Sequence, residues 1–243
     1  MQPVPYRKPF QFSLRCLFAV VTATAVVCSV IFYFISHQEF LRRQACEGNL
    51  THIGLALRSY QSNHGSFPPP YVTDAQGKPL YSWRVLILPQ MEEIHLYKQW
   101  RLDEPWDSPH NRSLPEPWGF FKCPARNRQP GSRPYTDYLA VVGPGMAWEE
   151  GKCLTLDDFT NKASNTVVVV EVRGSQIHWA EPVDMDGTAS LKINARHGLS
   201  IGSPHAGGAN VLFLDTSVMH LPDTTSEEEI KALLTRDGGE TVD

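Results

Sequence analysis

The chain has 243 residues, with 22 basic against 26 acidic side chains and a net charge of −4, so it carries no electrostatic footprint for nucleic acid. Nineteen prolines and seventeen glycines argue for long ordered loops over a plain helix bundle. Low-complexity tracts are absent, and about 205 residues remain once an N-terminal anchor is set aside, enough for one sizeable core.

Residues 1–12 read as a short tail containing proline. From Cys16 to Ile35 run twenty residues without a formal charge. At about 1.5 Å per residue they span about 30 Å, the thickness of a bilayer's hydrocarbon layer. A secretory h-region is shorter, about 7–15 residues, and ends at a small-x-small site. Ser36-His37-Gln38 is a poor one, so residues 13–36 are expected to be an uncleaved transmembrane helix. Arg7, Lys8 and Arg15 precede the run, while Arg42 and Arg43 follow it. That small excess predicts a cytoplasmic N-terminus and an extracytoplasmic domain over 37–236.

No proline lies between Pro9 and Pro68, and Leu50, Ile53, Leu57 and Tyr60 recur at helical spacing. The helix is therefore expected to continue, with one buried face, to a left-handed stop at Gly65, ahead of an extended Pro68-Pro69-Pro70 segment. Asp74-Ala75-Gln76-Gly77 reads as a turn. Ser82–Leu88 is helix or strand, and Pro89 suits the first position of a helix reaching Trp100. Residues 102–134 hold many prolines with Trp106, Trp118, Phe120 and Phe121 among them, which predicts an ordered loop pinned by aromatic rings.

Tyr135–Val142 is the first clear strand. Thr166–Val172, with four consecutive valines, reads as a central strand buried on both faces, and Gln176–Trp179 as its partner. Val211–Leu214 and Ser217–Leu221 form a hairpin joined by Asp215 and Thr216. Ser226 and Glu229 make a capping box for a helix over Glu227–Leu234, and residues 237–243 a flexible tail.

Five cysteines divide into Cys16 and Cys28 within the apolar run and Cys46, Cys123 and Cys153 outside it. At most one intramolecular disulfide fits the outer three. Cys46 with Cys123 is the first choice, since it would tie the helix to the proline-rich loop. Three buried thiols are the other reading.

Phosphate loops, H-E-x-x-H and C-x-x-C are all absent, so no cofactor is expected. The spacings of His178, His197, His205 and His220 match no zinc motif, so no metal is expected either. Asp184-Met185-Asp186-Gly187 is like the opening of a calcium loop but lacks the remaining ligands, and a plain turn is the simpler reading. Glu171 interrupts the valine strand. It is either a buried acid of raised pKa or, the favoured reading, a carboxylate held by Arg173 or Arg196 or wetted at the strand's end. Asn49-Leu50-Thr51 and Asn111-Arg112-Ser113 fit the glycosylation pattern, which is short enough to arise by chance.

The run Cys46–Leu57, then Tyr60 and Gly65-Ser66-Phe67-Pro68-Pro69, resembles the start of the pilin-like "domain of unknown function 1559" family. Ser82-Trp83-Arg84-Val85-Leu86, Leu102–Asn111, Phe121-Lys122-Cys123-Pro124, Ser164-Asn165-Thr166, Glu171 and Trp179 continue the resemblance. It closes on the family's tag of His, nine residues and Asp-Gly, here His205 and Asp215-Thr216. The resemblance implies an α+β pilin-like fold: a long N-terminal helix, membrane-spanning then amphipathic, packed on an antiparallel sheet with long loops. His205, Asp215, Glu171 and Trp179 would be its structural motif residues. Two departures stand out. Gln11 precedes Phe12-Ser13-Leu14-Arg15-Cys16 where pilin precursors carry Gly and, five residues on, Glu, so retention of the N-terminus is expected. Thr216 replaces the family's Gly, so another turn type or local strain is expected.

The expected function is that of a non-enzymatic bacterial envelope protein, structural or pseudopilin-like beside a type II secretion-like machine. Its partners would be the bilayer through residues 16–35 and pilin-like or envelope proteins, with no nucleic acid. A tethered binding module for a polymer or peptide is the alternative, requiring Trp106, Trp118 and Trp148 to line one groove. An enzyme using Glu171, His205 and Asp215 comes third.

Overall fold

The structure, a computed structural model, describes residues 13–126, 134–160, 163–189, 192–195 and 199–237. The chain divides into one unit up to Leu41 and a second from Arg42. The expected tail over 1–12 and nearly all of the one over 237–243 lie outside the described residues.

Helix α1 (Leu14–His64) is, among the described residues, the one helix long and apolar enough to cross a membrane. In the first unit its large side chains, Phe18, Ile31, Phe32 and Ile35 among them, are exposed. Thr22 and Thr24 each donate to helix carbonyls three and four residues back at 2.9–3.0 Å, and Ser29 donates to the Ala25 carbonyl at 2.8 Å. The serine and threonine hydroxyls of the run are thus satisfied within the helix, as hydrocarbon surroundings would require.

In the second unit, α1 buries one stripe: Cys46, Leu50, Ile53, Gly54, Ala56 and Leu57. The helix stops where Gly65 turns left-handed at φ 80° and donates to the Gln61 carbonyl. The Asp74–Gly77 turn joins two short antiparallel strands, β1 (Tyr71–Thr73) and β2 (Pro79–Ser82). Ser82 then caps the short helix α2 (Trp83–Leu86). The helix expected from Pro89 to Trp100 is broken in two. A 3₁₀ turn over Leu88–Met91 ends where Glu92 is left-handed at φ 64°, and α3 begins afresh at Ile94, running to Gln99.

The main sheet has five strands: β3 (Tyr138–Val142), β4 (Val167–Glu171), β5 (Met185–Asp186), β6 (Gly208–Phe213) and β7 (Val218–Pro222), in the order β5-β3-β4-β6-β7. All pairs are antiparallel except β3 with β5, so the sheet is mixed where an antiparallel one was expected. The valine strand is central and wholly buried. Its neighbours are β3 and β6, however, and not Gln176–Trp179, which forms only a lone bridge from His178 to Tyr135.

Strand alternation assigns the two cores. Tyr138, Ala140, Val169, Leu212 and Leu214 pack with the α1 stripe and the aromatic loops. Leu139, Val141, Val170, Val211 and Phe213 face Ile201, Ile230 and Leu234, the last two on helix α4 (Glu227–Leu234). A register irregularity between Val167 and Val169 puts Val168 on the α1 side together with Val169. Glu171, two residues beyond Val169, therefore lies on the α1 side as well.

The β6–β7 connection corrects the two-residue hairpin. Phe213 and Ser217 close a three-residue loop, and Thr216 sits in the left-handed region at φ 75°. The third loop residue is thus left-handed, a conformation in which a β-branched side chain is strained. The tip lies against α1 at Gly54: a Cβ there would stand 2.9 Å from Leu212 Cδ1 and 3.3 Å from Thr216 Cβ. Thr216→Gly is expected to stabilise the protein by about 1 kcal/mol, raising the melting temperature by about 2–4 °C. Gly54→Ala is expected to lower it, because the fully buried Leu212 must move. Thermal scans of the detergent-solubilised variants measure both, and an unchanged midpoint for either would refute its account.

Candidate functional site

Cys46 lies on the buried stripe of α1, in the helix–sheet core. Four aromatic rings hold the loop that carries Cys123 against the same core. Phe121 stacks on Trp179 at 6.1 Å and meets Trp83 edge-on, while Trp179 meets Trp100 at 5.3 Å. Asn49 on α1 donates to the Lys122 carbonyl at 2.9 Å, one residue before the cysteine. The Cys123 N–H donates to Asp137 Oδ2, and the other oxygen of Asp137 pairs with Arg126 at 2.6 Å. Cys46 and Cys123 form a disulfide, Cα to Cα 5.3 Å, and Cys153 is exposed and unpaired.

Two further groups converge on the sulfurs. His205 Nε2 lies 3.2 Å from Cys46 Sγ and 3.4 Å from Cys123 Sγ, and its backbone N–H donates to the Ser203 hydroxyl. Glu171, at the end of β4, has Oε2 accepting the Asn210 N–H of β6 at 3.2 Å, while Oε1 is buried without a hydrogen bond. Ligand atoms of Cys46, Cys123, Glu171 and His205 all lie within 4.8 Å of one another, and all four residues are buried. Among the described residues this is the one group of three or more metal-ligating side chains that converge.

Glu171 is thus the buried acid and not the arginine-held carboxylate. Arg173 is exposed, and no described arginine pairs with Glu171. Arg196 and His197 lie outside the described residues. Burial pushes the Glu171 carboxyl up to about 7; the Asn210 N–H and the Ser203 hydroxyl pull it back, and the charge of Asp137 adds to the rise.

The other candidate residues stand elsewhere. Asp215 is exposed, its Oδ1 accepting from the Ser217 N–H and hydroxyl at 2.9 and 2.5 Å, so it shapes the hairpin and does not join Glu171 and His205. His178 is half-buried against the Trp106 ring, with Nδ1 accepting the Ala180 N–H. Burial, with help from Arg112, lowers its pKa to about 4. His220 Nδ1–H donates to Asn210 Oδ1 at 3.0 Å. The three tryptophans of the groove hypothesis do not line up: Trp148 is buried, Trp106 is covered by His178, and Trp118 alone is exposed, at 87 %. Both glycosylation-type asparagines use their amides inside the fold, Asn49 on the Lys122 carbonyl and Asn111 on those of Arg101 and Pro105. An open groove of about 570 Å³ includes Tyr71, Glu149, Glu150 and Asp186 in its lining but no residue of the cluster.

One buried pair escaped the sequence reading. Arg84 is wholly enclosed; it donates to the Tyr138 carbonyl through Nε and Nη2, to Ser82 Oγ at 2.6 Å and to Asp184 Oδ1 at 2.5 Å. Its guanidinium lies 4.7 Å over the Trp83 ring. Asp184 Oδ1 also accepts the Ala140 N–H and the Trp83 indole, so the pair clamps α2 to strand β3. Burial pushes the Asp184 carboxyl up, and the Arg84 charge pulls it back. Asp184 thus serves this buried pair, while Asp186 Oδ1 accepts the Thr188 N–H and hydroxyl. An arginine inside the apolar run Trp83–Leu88 was the available signal, because such a charge demands a buried partner.

Geometry thus defines an α+β protein whose long apolar helix leads into a core that encloses a sulfur–imidazole–carboxylate cluster. Residues 37–153 match the family described as "Protein of unknown function (DUF1559)". No curated protein and no solved structure matches the chain.

Two outcomes test these assignments. Arg84→Ala leaves Asp184 buried and unpaired and is expected to cost about 3–5 kcal/mol in urea unfolding, much of it recovered by Arg84→Met with Asp184→Leu. For Glu171, the folded pKa of about 7 exceeds the ordinary 4.5, so its stabilising effect is full below pH about 4.5 and is lost as pH rises through 7. Glu171→Gln should therefore gain on the wild type by on the order of 3 kcal/mol across that window. His178 acts in the opposite sense but is common to both proteins, so the difference isolates Glu171. A difference that stays constant with pH would contradict the assignment.

Proposed function

We propose that the protein is a non-enzymatic, single-pass membrane protein of the bacterial cell envelope whose pilin-like outer part serves a structural or interaction role. The observation that carries this reading is helix α1: one element of 51 residues supplies both an exposed apolar run of bilayer length and the buried stripe on which the sheet packs. In this reading residues 16–35 lie in lipid, the N-terminus is cytoplasmic and the folded part extracytoplasmic. A disulfide in the core suits an oxidising compartment. Glu171 and His205 are enclosed and Asp215 lies apart from them, which supports a structural over a catalytic use of the motif residues.

Pilin-like or envelope proteins, including those beside a secretion machine, are the partners this reading names. Trp118 is the surface feature that favours an interaction role. Its ring is exposed, while its backbone N–H is held by Glu93 Oε1 at 2.8 Å, so the main chain that presents this large apolar group is anchored.

The test is extraction of native membranes with alkaline carbonate, followed by intact-mass measurement and protease treatment of spheroplasts. The expected result is a protein that stays in the pellet, retains the residues ahead of Phe12, and loses its folded part to external protease. Release into the supernatant, or a chain beginning at Phe12, would replace the fixed anchor with a subunit able to leave the bilayer.

A further inference from the structure

We propose that, once Cys46 and Cys123 are reduced, they join His205 and Glu171 as the four ligands of a single zinc-type divalent ion, so that the cluster exists either as a disulfide or as a metal centre. A tetrahedral zinc site, with bonds of about 2.3 Å to sulfur and 2.0–2.2 Å to nitrogen or oxygen, sets its ligand atoms about 3.3–3.8 Å apart. The four side chains already bring ligand atoms within 4.8 Å of one another, and His205 Nε2 stands 3.2 and 3.4 Å from the two sulfurs. Opening the sulfur–sulfur bond leaves room for an ion among them without moving the imidazole far.

The donor set selects the ion. Two sulfurs, an imidazole and a carboxylate suit zinc, whereas calcium and magnesium take oxygen ligands. Two thiolates offset the two positive charges of the ion, and the Glu171 carboxylate leaves the site with one net negative charge. Glu171 brings an oxygen, Oε1, that is buried without a hydrogen bond, and ligation would satisfy it. The ligands are also supported from behind: Asn210 holds Glu171 Oε2, and Ser203 holds the His205 backbone. Absence of a zinc motif in the sequence reflects only local spacing. The ligands come from α1, the proline-rich loop, β4 and the segment before β6, so the site assembles only in the folded chain.

The chemistry balances with a dithiol as reductant. It delivers two electrons and two protons, breaks the Cys46–Cys123 bond, leaves two thiols and becomes a disulfide itself. The ion then displaces both thiol protons, and the Glu171 proton where the acid holds one, releasing them to water as it forms two bonds to sulfur, one to His205 Nε2 and one to a Glu171 oxygen. A disulfide as oxidant runs the sequence backwards: it takes two electrons from the thiolates and two protons from water, becomes a dithiol, and the metal leaves as the Cys46–Cys123 bond forms.

The full chain in detergent micelles, reduced with a dithiol and freed of it without air, is titrated with Co²⁺. The expected result is one Co²⁺ per chain, with the strong visible bands of a tetrahedral ion and sulfur-to-metal charge transfer, displaced by Zn²⁺. The oxidised protein should show neither. His205→Ala and Glu171→Gln leave the disulfide in place, so their oxidised forms report correct folding by near-ultraviolet circular dichroism. Once reduced, each should bind Co²⁺ at least about tenfold more weakly. Failure of the reduced wild type to take up one equivalent overturns the proposal. So does binding by either variant as tight as the wild type's, or an unchanged spectrum in Cys46→Ser.

Discussion

Everything in the folded unit depends on how closely the second part of α1 can approach the sheet. Gly54 sets that distance, because any side chain there would meet Leu212 and the tip of the β6–β7 hairpin. With the helix that close, Leu50, Ile53, Ala56 and Leu57 share a core with Val169 and Leu212. Cys46, two turns before Gly54 on the same stripe, reaches the loop that carries Cys123. A helix held farther out would break this packing and separate the sulfurs from His205 and Glu171.

Local rules were legible where the deciding forces are local. The stop at Gly65 and the capping box of Ser226 and Glu229 stand where the sequence placed them, since a left-handed glycine and a reciprocal cap depend on a few neighbouring residues. Four consecutive valines marked the central strand for a similarly simple reason, burial on both faces. Pairing was less legible. Gln176–Trp179 follows β4 closely, but the sheet position goes to β3, whose Tyr138, Leu139 and Ala140 supply the alternation that satisfies both cores. Strand β5, two residues long, leaves no periodic signal at all.

The site shows the same division. Cys46, Cys123, Glu171 and His205 each drew notice in the sequence, for cysteine count, for an acid among valines and for a histidine at a fixed offset from Asp215. Nothing in their spacing said that four of these five side chains meet and that Asp215 does not. The Arg84–Asp184 pair is separated by 100 positions, and Asp184 lay in a stretch that also passed for a turn. A buried charge can be inferred from sequence; its counter-charge requires the fold.

The covalent link has a consequence for the integrity of the chain. Cys46 and Cys123 are 77 positions apart, and the bond between them encloses the exposed hairpin tip Ala75–Lys78. A peptide bond severed at that tip does not detach the sheet from the apolar helix, because the sulfur bridge spans the gap. Such a nicked molecule would migrate as one species until reduced, then fall into two. Attachment of the folded part to its N-terminal helix thus rests on two routes, the backbone and the bridge, and both must be cut before one is lost from the other.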